Sequence, residues 1–410
     1  MKKPPVRYLV ASPRGDFIVD NSRLDYPLEG DPLRTTYRAY FRAITDVLSE
    51  KHFQPLLNAV NERLGTDYNA SAIQEILVRT EKHGALSHPA SIECILQGQS
   101  VKFGLHVAVT DTGKDALRRE FGILKMLHSR FSFKYIPVPY FLDERYSMVF
   151  LLEEWFEGYH EFHIAQSEDG EELLEFWEYG KRNRFLTQEQ GYEIYRQAAR
   201  ILTLYYDLHN FRLIYPWHHA AGDFVARIEE AHSPSHHLSP QGKGDIKDIM
   251  NDAGTPSPLA GEGGGEGDLK DKIDVKLTTV RGYEPFMGSG SNEMTNPLLA
   301  LFYFLLHLSI QMRLDKLNGV GDVAWAEDSC VDATMKGFFE GLERKNDFRE
   351  SFGSTESFLM LLKSFTRDNL RKTTVPIAAQ FERTKDYRVI LEHLDDHTDR
   401  LYLTLQNFPL

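Results

Sequence analysis

The chain has 410 residues, of which 42% are hydrophobic and 26% are charged, a balance typical of a globular protein long enough for two lobes. Its 47 basic and 60 acidic residues give a formal net charge of −13, which argues against nucleic acid or an anionic membrane surface as the partner. The two cysteines, Cys94 and Cys330, exclude a disulfide framework and fit a reducing, cytoplasmic location. We expect no signal peptide, and the most apolar run, residues 298–310, is too short to span a bilayer.

Residues 1–70 have mixed α/β character and form an N-terminal extension in this interpretation. Two short apolar runs, 8–10 and 17–19, flank the turn residues Pro13, Arg14 and Gly15, which predicts a hairpin. Apolar residues on one helical face then predict a single helix over 36–64.

Residues 71–157 are rich in strands and contain one helix. The β-branched and apolar runs that predict strands lie at 73–80, 91–97, 101–110 and 148–153. The helix is predicted over 114–128, and we treat 71–157 as a strand-rich N-terminal lobe.

Residues 158–410 form a mainly helical C-terminal lobe. Helices are predicted at 191–209, 298–314, 328–345, 354–371 and 385–406. Asn296 followed by Pro297 is the order of an N-cap and a first helical residue.

A low-complexity segment interrupts the C-terminal lobe at residues 231–270. It holds eight glycines, four prolines and four serines but no aromatic residue, so it is expected to be a disordered insertion. It separates the runs 224–227 and 275–280, which have the composition of two strands of one hairpin with a lengthened turn.

The order of these elements resembles the protein-kinase-like superfamily, over about residues 70–345. A hairpin, a strand, a helix and a further strand are followed by a linker, a long helix, a loop with two histidines and a broken hairpin. The aminoglycoside-phosphotransferase-like branch, whose members are small-molecule kinases, is the branch that it resembles. The resemblance implies a two-lobed α+β fold, ATP bound between the lobes and phosphoryl transfer to an alcohol.

The resemblance places several cofactor-binding residues in the N-terminal lobe. Glu120 shares a helix face with apolar residues and matches the glutamate that pairs with the family's phosphate-binding lysine. His106 stands where that lysine is expected, and Lys102 lies on the same strand face, four residues earlier. The linker, 151–158, includes Glu154 and offers backbone groups to a purine. The expected glycine-rich phosphate loop has a single glycine, at Gly84.

The loop that would carry the catalytic residues departs from the family pattern. Counting back from Asp223 puts that residue in the position of a metal-binding asparagine and His218 in the position of the catalytic aspartate. Counting forward from the preceding helix puts Trp217 there instead. A third alignment makes Asp223 the catalytic aspartate but leaves Ile228 in the asparagine position. We prefer the first alignment, in which the catalytic candidates are His218, His219 and Asp223.

The second metal ligand is also replaced. By resemblance Arg281 occupies the position of a metal-binding aspartate, and a cation there would repel Mg²⁺ but could contact phosphate oxygens. Glu284, three residues later, is a substitute ligand candidate, so the candidate metal ligands are Asp223 and Glu284.

These replacements favour a pseudokinase-like protein. The leading hypothesis is a kinase-like protein that binds a nucleotide or a phosphorylated small molecule between its lobes and has impaired or atypical phosphotransferase activity. ATP is the cofactor that the resemblance implies, and the residues leave a requirement for Mg²⁺ open. The alternatives are an active ATP-dependent small-molecule kinase and a non-enzymatic scaffold that uses the helical lobe. The sequence names no protein partner.

Overall fold

The computed structural model describes residues 3–11, 15–19, 22–81, 84, 86–230, 271–285 and 296–409. The low-complexity insertion at 231–270 and two of the predicted turn residues, Pro13 and Arg14, lie outside the described residues. The chain has an α+β fold with a strand-rich N-terminal part and a mainly helical C-terminal part, as the sequence predicts.

Seven strands form one mixed sheet in the N-terminal part. They are β1 (Val6–Val10), β2 (Phe17–Ile18), β3 (Ile73–Thr80), β4 (His88–Leu96), β5 (Gln99–Ala108), β6 (Pro139–Arg145) and β7 (Met148–Glu154). Their order is β2-β1-β3-β4-β5-β7-β6, and every neighbouring pair is antiparallel except β1 and β3, which are parallel. The predicted pairing of β1 with β2 is confirmed, and residues 1–70 contribute to the same sheet as the strands that follow them.

Helices cover both faces of this sheet. On one face lie α1 (Tyr37–Leu48) and α2 (Glu50–Leu64), and on the other lies α3 (Asp111–Arg130). The prediction of a single helix over 36–64 is wrong, because the backbone is left-handed at Lys51, His52 and Phe53. Pro55 accounts for the break, since its ring would clash with the carbonyl of residue 51 in a continuous helix.

Strand alternation gives the two sheet faces different chemistry. On β5, Phe103 and Leu105 point into the core beneath α1 and α2. Gly104 and His106 therefore point to the opposite face, where Glu153 of β7 joins them. That second face looks toward the C-terminal part and carries the polar residues of the site described below.

The C-terminal part contains several small sheets besides its helices. They are β8 (Glu161–Gln166) with β9 (Glu172–Trp177) and β10 (Arg184–Phe185), β11 (Arg212–Ile214) with β14 (Tyr283–Pro285), β12 (Phe224–Glu229) with β13 (Lys272–Leu277), and β15 (Leu314–Lys316) with β16 (Val323–Trp325). The antiparallel pairing of β12 with β13 confirms the predicted hairpin, with Phe224 opposite Leu277. The sequence did not predict β8–β10, because three glutamates in β8 and β9 lower their β propensity.

The helices of the C-terminal part are α4 (Gln188–Tyr205), α5 (Pro297–Met312), α6 (Ser329–Glu343), α7 (Asn346–Phe352), α8 (Thr355–Lys363), α9 (Arg367–Ala378) and α10 (Tyr387–Asn407). The side chain of Asn296 accepts hydrogen bonds from Leu298 and Leu299 N–H groups, which confirms the predicted N-cap of α5. The predicted helix over 354–371 is instead α8 and α9, because Thr366 forms a capping box with Asn369 and starts a new helix. Among the described residues, no helix has both the length and the apolar character needed to cross a membrane.

Two large cores define two lobes, and α3 packs against both lobes. The first core lies between the seven-stranded sheet and α1 and α2, and the second lies among the C-terminal helices and small sheets. Leu117, near the start of α3, packs with Val149 and Leu151 of β7, whereas Leu124 and Leu127 pack in the C-terminal core. Side chains on α3 therefore reach both lobes, which places them to connect the two halves of a site.

A polar candidate site between the two lobes

His106 and Glu153 form a pair on the sheet face that looks toward the C-terminal lobe. They lie on the adjacent strands β5 and β7, and His106 Nε2 is 3.1 Å from Glu153 Oε1. Burial lowers the pKa of His106, but the charge of Glu153 and the hydrogen bond to it raise that pKa more, so the net shift is upward. Pairing with Glu153 therefore favours the protonated form of the imidazole, at the position where the resemblance expects a lysine.

Glu120 connects α3 with the segment that follows β13. Its Oε1 accepts a hydrogen bond of 2.7 Å from the backbone N–H of Val280, and the side chain is buried. Burial, together with the negative charge of Glu153, raises the pKa of Glu120 to about 7. Glu120 thus joins the lobes and carries a proton for a substantial part of the time near neutral pH.

Arg281 and Asp223 form a bidentate ion pair on the C-terminal side of the site. Arg281 Nη2 donates to Asp223 Oδ1 at 2.6 Å, and Nη1 donates to Oδ2. Oδ2 also accepts the backbone N–H of His218 at 2.8 Å, and Asp223 has no exposed surface. Both oxygens of this buried carboxylate are therefore engaged by the chain itself.

The two pairs belong to one electrostatic network with Glu120 in it. The charges of His106 and Arg281 each lower the pKa of Glu120, and the charge of Arg281 lowers the pKa of His106. Four of the sequence-predicted residues, His106, Glu120, Asp223 and Arg281, are thus brought together. Sequence reasoning missed Glu153, although an acidic residue in the otherwise apolar strand β7 marks it as a candidate.

Lys102 and Glu154, predicted to bind the cofactor, lie at the margins of this network. Lys102 Nζ is 4.4 Å from the ring centroid of Trp155, a cation–π contact, and burial lowers the lysine pKa. Glu154 points to the opposite side of β7 from Glu153 and forms an ion pair with Arg63 of α2.

The histidines predicted to be catalytic face the loop and the core. His218 Nδ1 accepts the backbone N–H of Ala220 at 3.0 Å, so this side chain caps a short 3₁₀ turn. His219 lies inside a cage of aromatic rings, and burial lowers its pKa to about 4. The ring centroids around His219 lie 5.4–5.7 Å away and belong to Phe162, Tyr195, Trp217 and Phe224.

The residues present do not fit a Mg²⁺ ion. Asp223 gives both oxygens to Arg281, and Glu284 lies on the exposed side of β14, while its neighbour Tyr283 points into the core. Across the described part of the chain, no group of three or more His, Cys, Asp or Glu side chains is arranged to hold a metal. The guanidinium of Arg281 supplies positive charge where the resemblance expects a metal ligand.

Two segments close over the site from its outer side. Ser87 Oγ lies 3.3 Å from His106 Nδ1, in the loop between β3 and β4. The second segment contains Tyr179, between β9 and β10. The Tyr179 hydroxyl donates to Asp16 at 2.8 Å, and the centroid of its ring lies 4.7 Å from the guanidinium carbon of Arg79. Tyr179 therefore bridges the C-terminal lobe to the sheet.

Buried polar atoms without partners remain on this sheet face. Arg79 Nη2, Glu81 Oε1 and Glu153 Oε2 have no hydrogen-bond partner among the described residues. Leaving such atoms unpaired costs about 1–3 kcal/mol each, which folded proteins tolerate mainly where a ligand or water completes the bonding. Glu153 lies beside His106, and its unpaired oxygen supports a ligand site in this cleft.

Comparison with known proteins gave similarity at the level of structure but not of sequence. No protein-family model matches the chain, and no curated protein matches it. The fold is similar to a crystal structure of a kinase domain, with a TM-score of 0.28 and 10% sequence identity, covering 82% of this chain and 90% of that chain.

Proposed function

We propose that this chain is a kinase-like protein that binds a nucleotide or another phosphorylated small molecule in the cleft between its lobes, without metal-dependent phosphoryl transfer. The order of its elements supports the kinase-like part of the proposal. The β3–β4 hairpin, β5, α3 and β7 precede a linker, and α4, β11 and the β12–β13 hairpin follow it. This is the order on which the resemblance to the aminoglycoside-phosphotransferase-like branch rests.

The ion pair between Arg281 and Asp223 is the observation that carries the proposal. The Arg281 guanidinium uses two of its five N–H donors on Asp223 and keeps three. The Arg281 side chain is also partly exposed. Such a cation binds phosphate oxygens through charge-assisted hydrogen bonds. His106, whose pKa Glu153 raises, lies across the cleft, and its protonated form is a second group able to bind a phosphate oxygen.

The same pair argues against ordinary kinase chemistry. Kinases neutralise the charge that develops on the transferred phosphoryl group with metal ions held by oxygen ligands. Here the carboxylate that would hold the metal is neutralised by an arginine. Binding can proceed through Arg281 and His106, but the metal-dependent transfer step lacks its ligands.

A thermal-shift series with ATP and ADP, each in EDTA and in MgCl₂, tests the proposal. We expect both nucleotides to raise the melting temperature to the same extent with and without Mg²⁺, because a ligand that binds only the folded state stabilises it. Arg281→Gln should reduce the shift by the part that the cleft contributes, whereas Arg383→Gln, which removes an exposed arginine elsewhere, should preserve all of it. ATP turnover that needs Mg²⁺ and is lost in Asp223→Ala would favour an active kinase instead.

A scaffold without a ligand is the second candidate, and the closure of the cleft favours it. Ser87 contacts His106, and Tyr179 bridges to Asp16, so the chain's own residues already cross the cleft. A scaffold predicts that neither nucleotide changes the melting temperature in any condition.

A further inference from the structure

A cavity of about 500 Å³ adjoins the linker that joins the lobes, and Phe156 and Glu157 of the linker line part of it. We call it the linker pocket. Adjacent residues of β7 point to opposite faces of the sheet, so Glu153 contacts His106 in the cleft whereas Glu154 faces Arg63 in the linker pocket. The volume is in the range of small-molecule sites, and the pocket is separate from the cleft proposed above.

Basic side chains from three parts of the fold converge on the linker pocket. Arg63 comes from α2, Lys134 from the connection between α3 and β6, and Arg227 and Lys276 from the hairpin of β12 and β13. Four cations in one pocket contrast with the net charge of −13 of the whole chain. The lining is therefore more basic than acidic in a molecule that is acidic as a whole.

Fewer acidic than basic side chains line the pocket. Glu154 and Glu157 are the acidic residues among those that surround the cavity. Glu154 is held by Arg63 at 2.5 Å and by the backbone N–H of Val138 at 3.4 Å. Glu157 is exposed. Arg63 is thus paired within the lining, whereas the carboxylates that pair with Arg227 and Lys276 lie outside the lining.

Neighbouring carboxylates hold two of these cations in position. Arg227 Nε is 3.3 Å from Glu229, and Lys276 Nζ is 3.5 Å from Asp274, each on the same strand as its partner. Lys276 also donates to the backbone carbonyl of Lys134 at 2.9 Å. The positive groups are therefore preorganised, which lowers the entropic cost of binding an anion.

Aromatic rings give the pocket an apolar surface beside the cations. The guanidinium carbon of Arg227 lies 5.0 Å from the centroid of the Tyr159 ring, and Lys276 Nζ lies 5.9 Å from it. The rings of Phe156 and Tyr159 have centroids 5.7 Å apart. A ligand with a planar ring and a phosphate group would match both features.

We propose that the linker pocket binds a nucleoside phosphate, with its phosphate against Lys134, Arg227 and Lys276 and its base against Tyr159. Arg63 belongs to the N-terminal lobe and Arg227 to the C-terminal lobe. An occupant of the pocket therefore touches both lobes and the linker between them, and it restrains their relative movement.

Isothermal titration of the full chain with ADP, and separately with pyrophosphate, at low ionic strength tests this site. We expect Lys134→Ala/Arg227→Ala to weaken binding by roughly tenfold or more at one site, because two charge contacts are lost. Lys372→Ala/Arg383→Ala removes the same charge from exposed positions elsewhere and should leave binding unchanged. ADP should bind more tightly than pyrophosphate because of the ring contact.

Variants of the cleft separate this site from the one proposed above. Arg281→Gln should leave the linker-pocket binding event intact, so the linker pocket stands even if the cleft binds nothing. The inference is overturned if wild type binds neither probe, if the Lys134/Arg227 variant binds as wild type does, or if ADP binds no more tightly than pyrophosphate. The melting temperature of each variant without ligand verifies that the exposed substitutions leave the fold intact.

Discussion

At the scale of single residues, the Arg281 guanidinium compensates a carboxylate that has no exposed surface. Removing one partner of a buried pair leaves the other charge uncompensated and typically costs about 3–5 kcal/mol. The pair therefore stabilises the segment after β13 against the loop that precedes β12. It also determines whether this position repels or attracts a metal ion.

Arg281→Asp should make the melting temperature of the protein depend on Mg²⁺. Two adjacent carboxylates would repel each other and lower the melting temperature, and millimolar Mg²⁺ should restore part of it by coordinating both. Arg281→Gln should also lower the melting temperature, but Mg²⁺ should not restore it. The melting temperature of the wild type should be the same with and without Mg²⁺. Scanning calorimetry in EDTA and in MgCl₂ measures the melting temperatures of the wild type and both variants. An Arg281→Asp variant whose melting temperature does not change with Mg²⁺ would contradict the close placement of residues 281 and 223.

Glu120→Gln should stabilise the protein more at alkaline than at acidic pH. The pKa of Glu120 is raised from 4.5 to about 7, so folding opposes its ionisation and stability is lost as the pH rises through this window. Glutamine removes that loss and still accepts the hydrogen bond from Val280. Urea unfolding at about pH 5 and about pH 8 should show a larger gain at the higher pH; an equal gain would contradict the raised pKa.

At the scale of elements, α3 packs closely against the loop before β4, which contacts His106. A Cβ at Gly113, near the start of α3, would lie 2.1 Å from the carbonyl oxygen of Leu86. Glycine is therefore required for this close approach. The loop that carries Leu86 also carries Ser87, which contacts His106.

Gly113→Ala and Gly122→Ala, both in α3, should have opposite effects. The first must displace the loop and should destabilise the fold by about 1–3 kcal/mol. The second has nothing within 4 Å of its added methyl group, so it should stabilise the helix by about 0.4–1 kcal/mol. Chemical denaturation measures both, and a stabilising Gly113→Ala would contradict the close contact.

Elements with strong local patterns were predictable from sequence, and those that depend on distant partners were not. The strand at 73–80 coincides with β3, and Asn296 caps α5 as predicted, because periodicity and capping are local properties. The strands β8 and β9 escaped prediction, because their glutamates are tolerated only through pairing within their small sheet. Sequence reasoning placed His106, His218, His219, Asp223 and Arg281 in one cleft, whereas the side chains of His218 and His219 face the loop and the core. It could not foresee that Arg281 binds Asp223, since that contact joins residues 58 positions apart.

At the scale of the whole molecule, buried histidines oppose folding in acid. Burial lowers the pKa values of His219 and His307 to about 4 and of His397 to about 3. Each is neutral in the folded protein, whereas in the unfolded chain each takes up a proton below about pH 6.5. Stability is therefore present above that pH and is lost as the pH falls.

One buried histidine behaves in the opposite way. Burial lowers the pKa of His163, but its interactions with Asp315 and Glu161 raise it more, to about 9. Its contribution is complete below the unfolded value of 6.5 and is lost as the pH rises through about 9. The two classes of histidine, together with Glu120, predict highest stability close to neutral pH.

The free energy of unfolding should therefore pass through a maximum at about pH 6–7 and fall on both sides. Urea denaturation across the pH range measures the curve. His163→Asn should flatten the alkaline side and leave the acid side unchanged. An alkaline side that keeps its slope in this variant would show that His163 is not held between two carboxylates.

The central claim, that an arginine stands in for a metal ion in a ligand-binding cleft, can be tested by one ratio. Calorimetry gives the dissociation constant of ATP in EDTA and in MgCl₂, and Arg281→Gln identifies the binding event that belongs to the cleft. The account predicts that the two constants for that event agree within about twofold. Binding that is tighter by more than about tenfold in Mg²⁺, or no binding sensitive to Arg281 in either buffer, would contradict it.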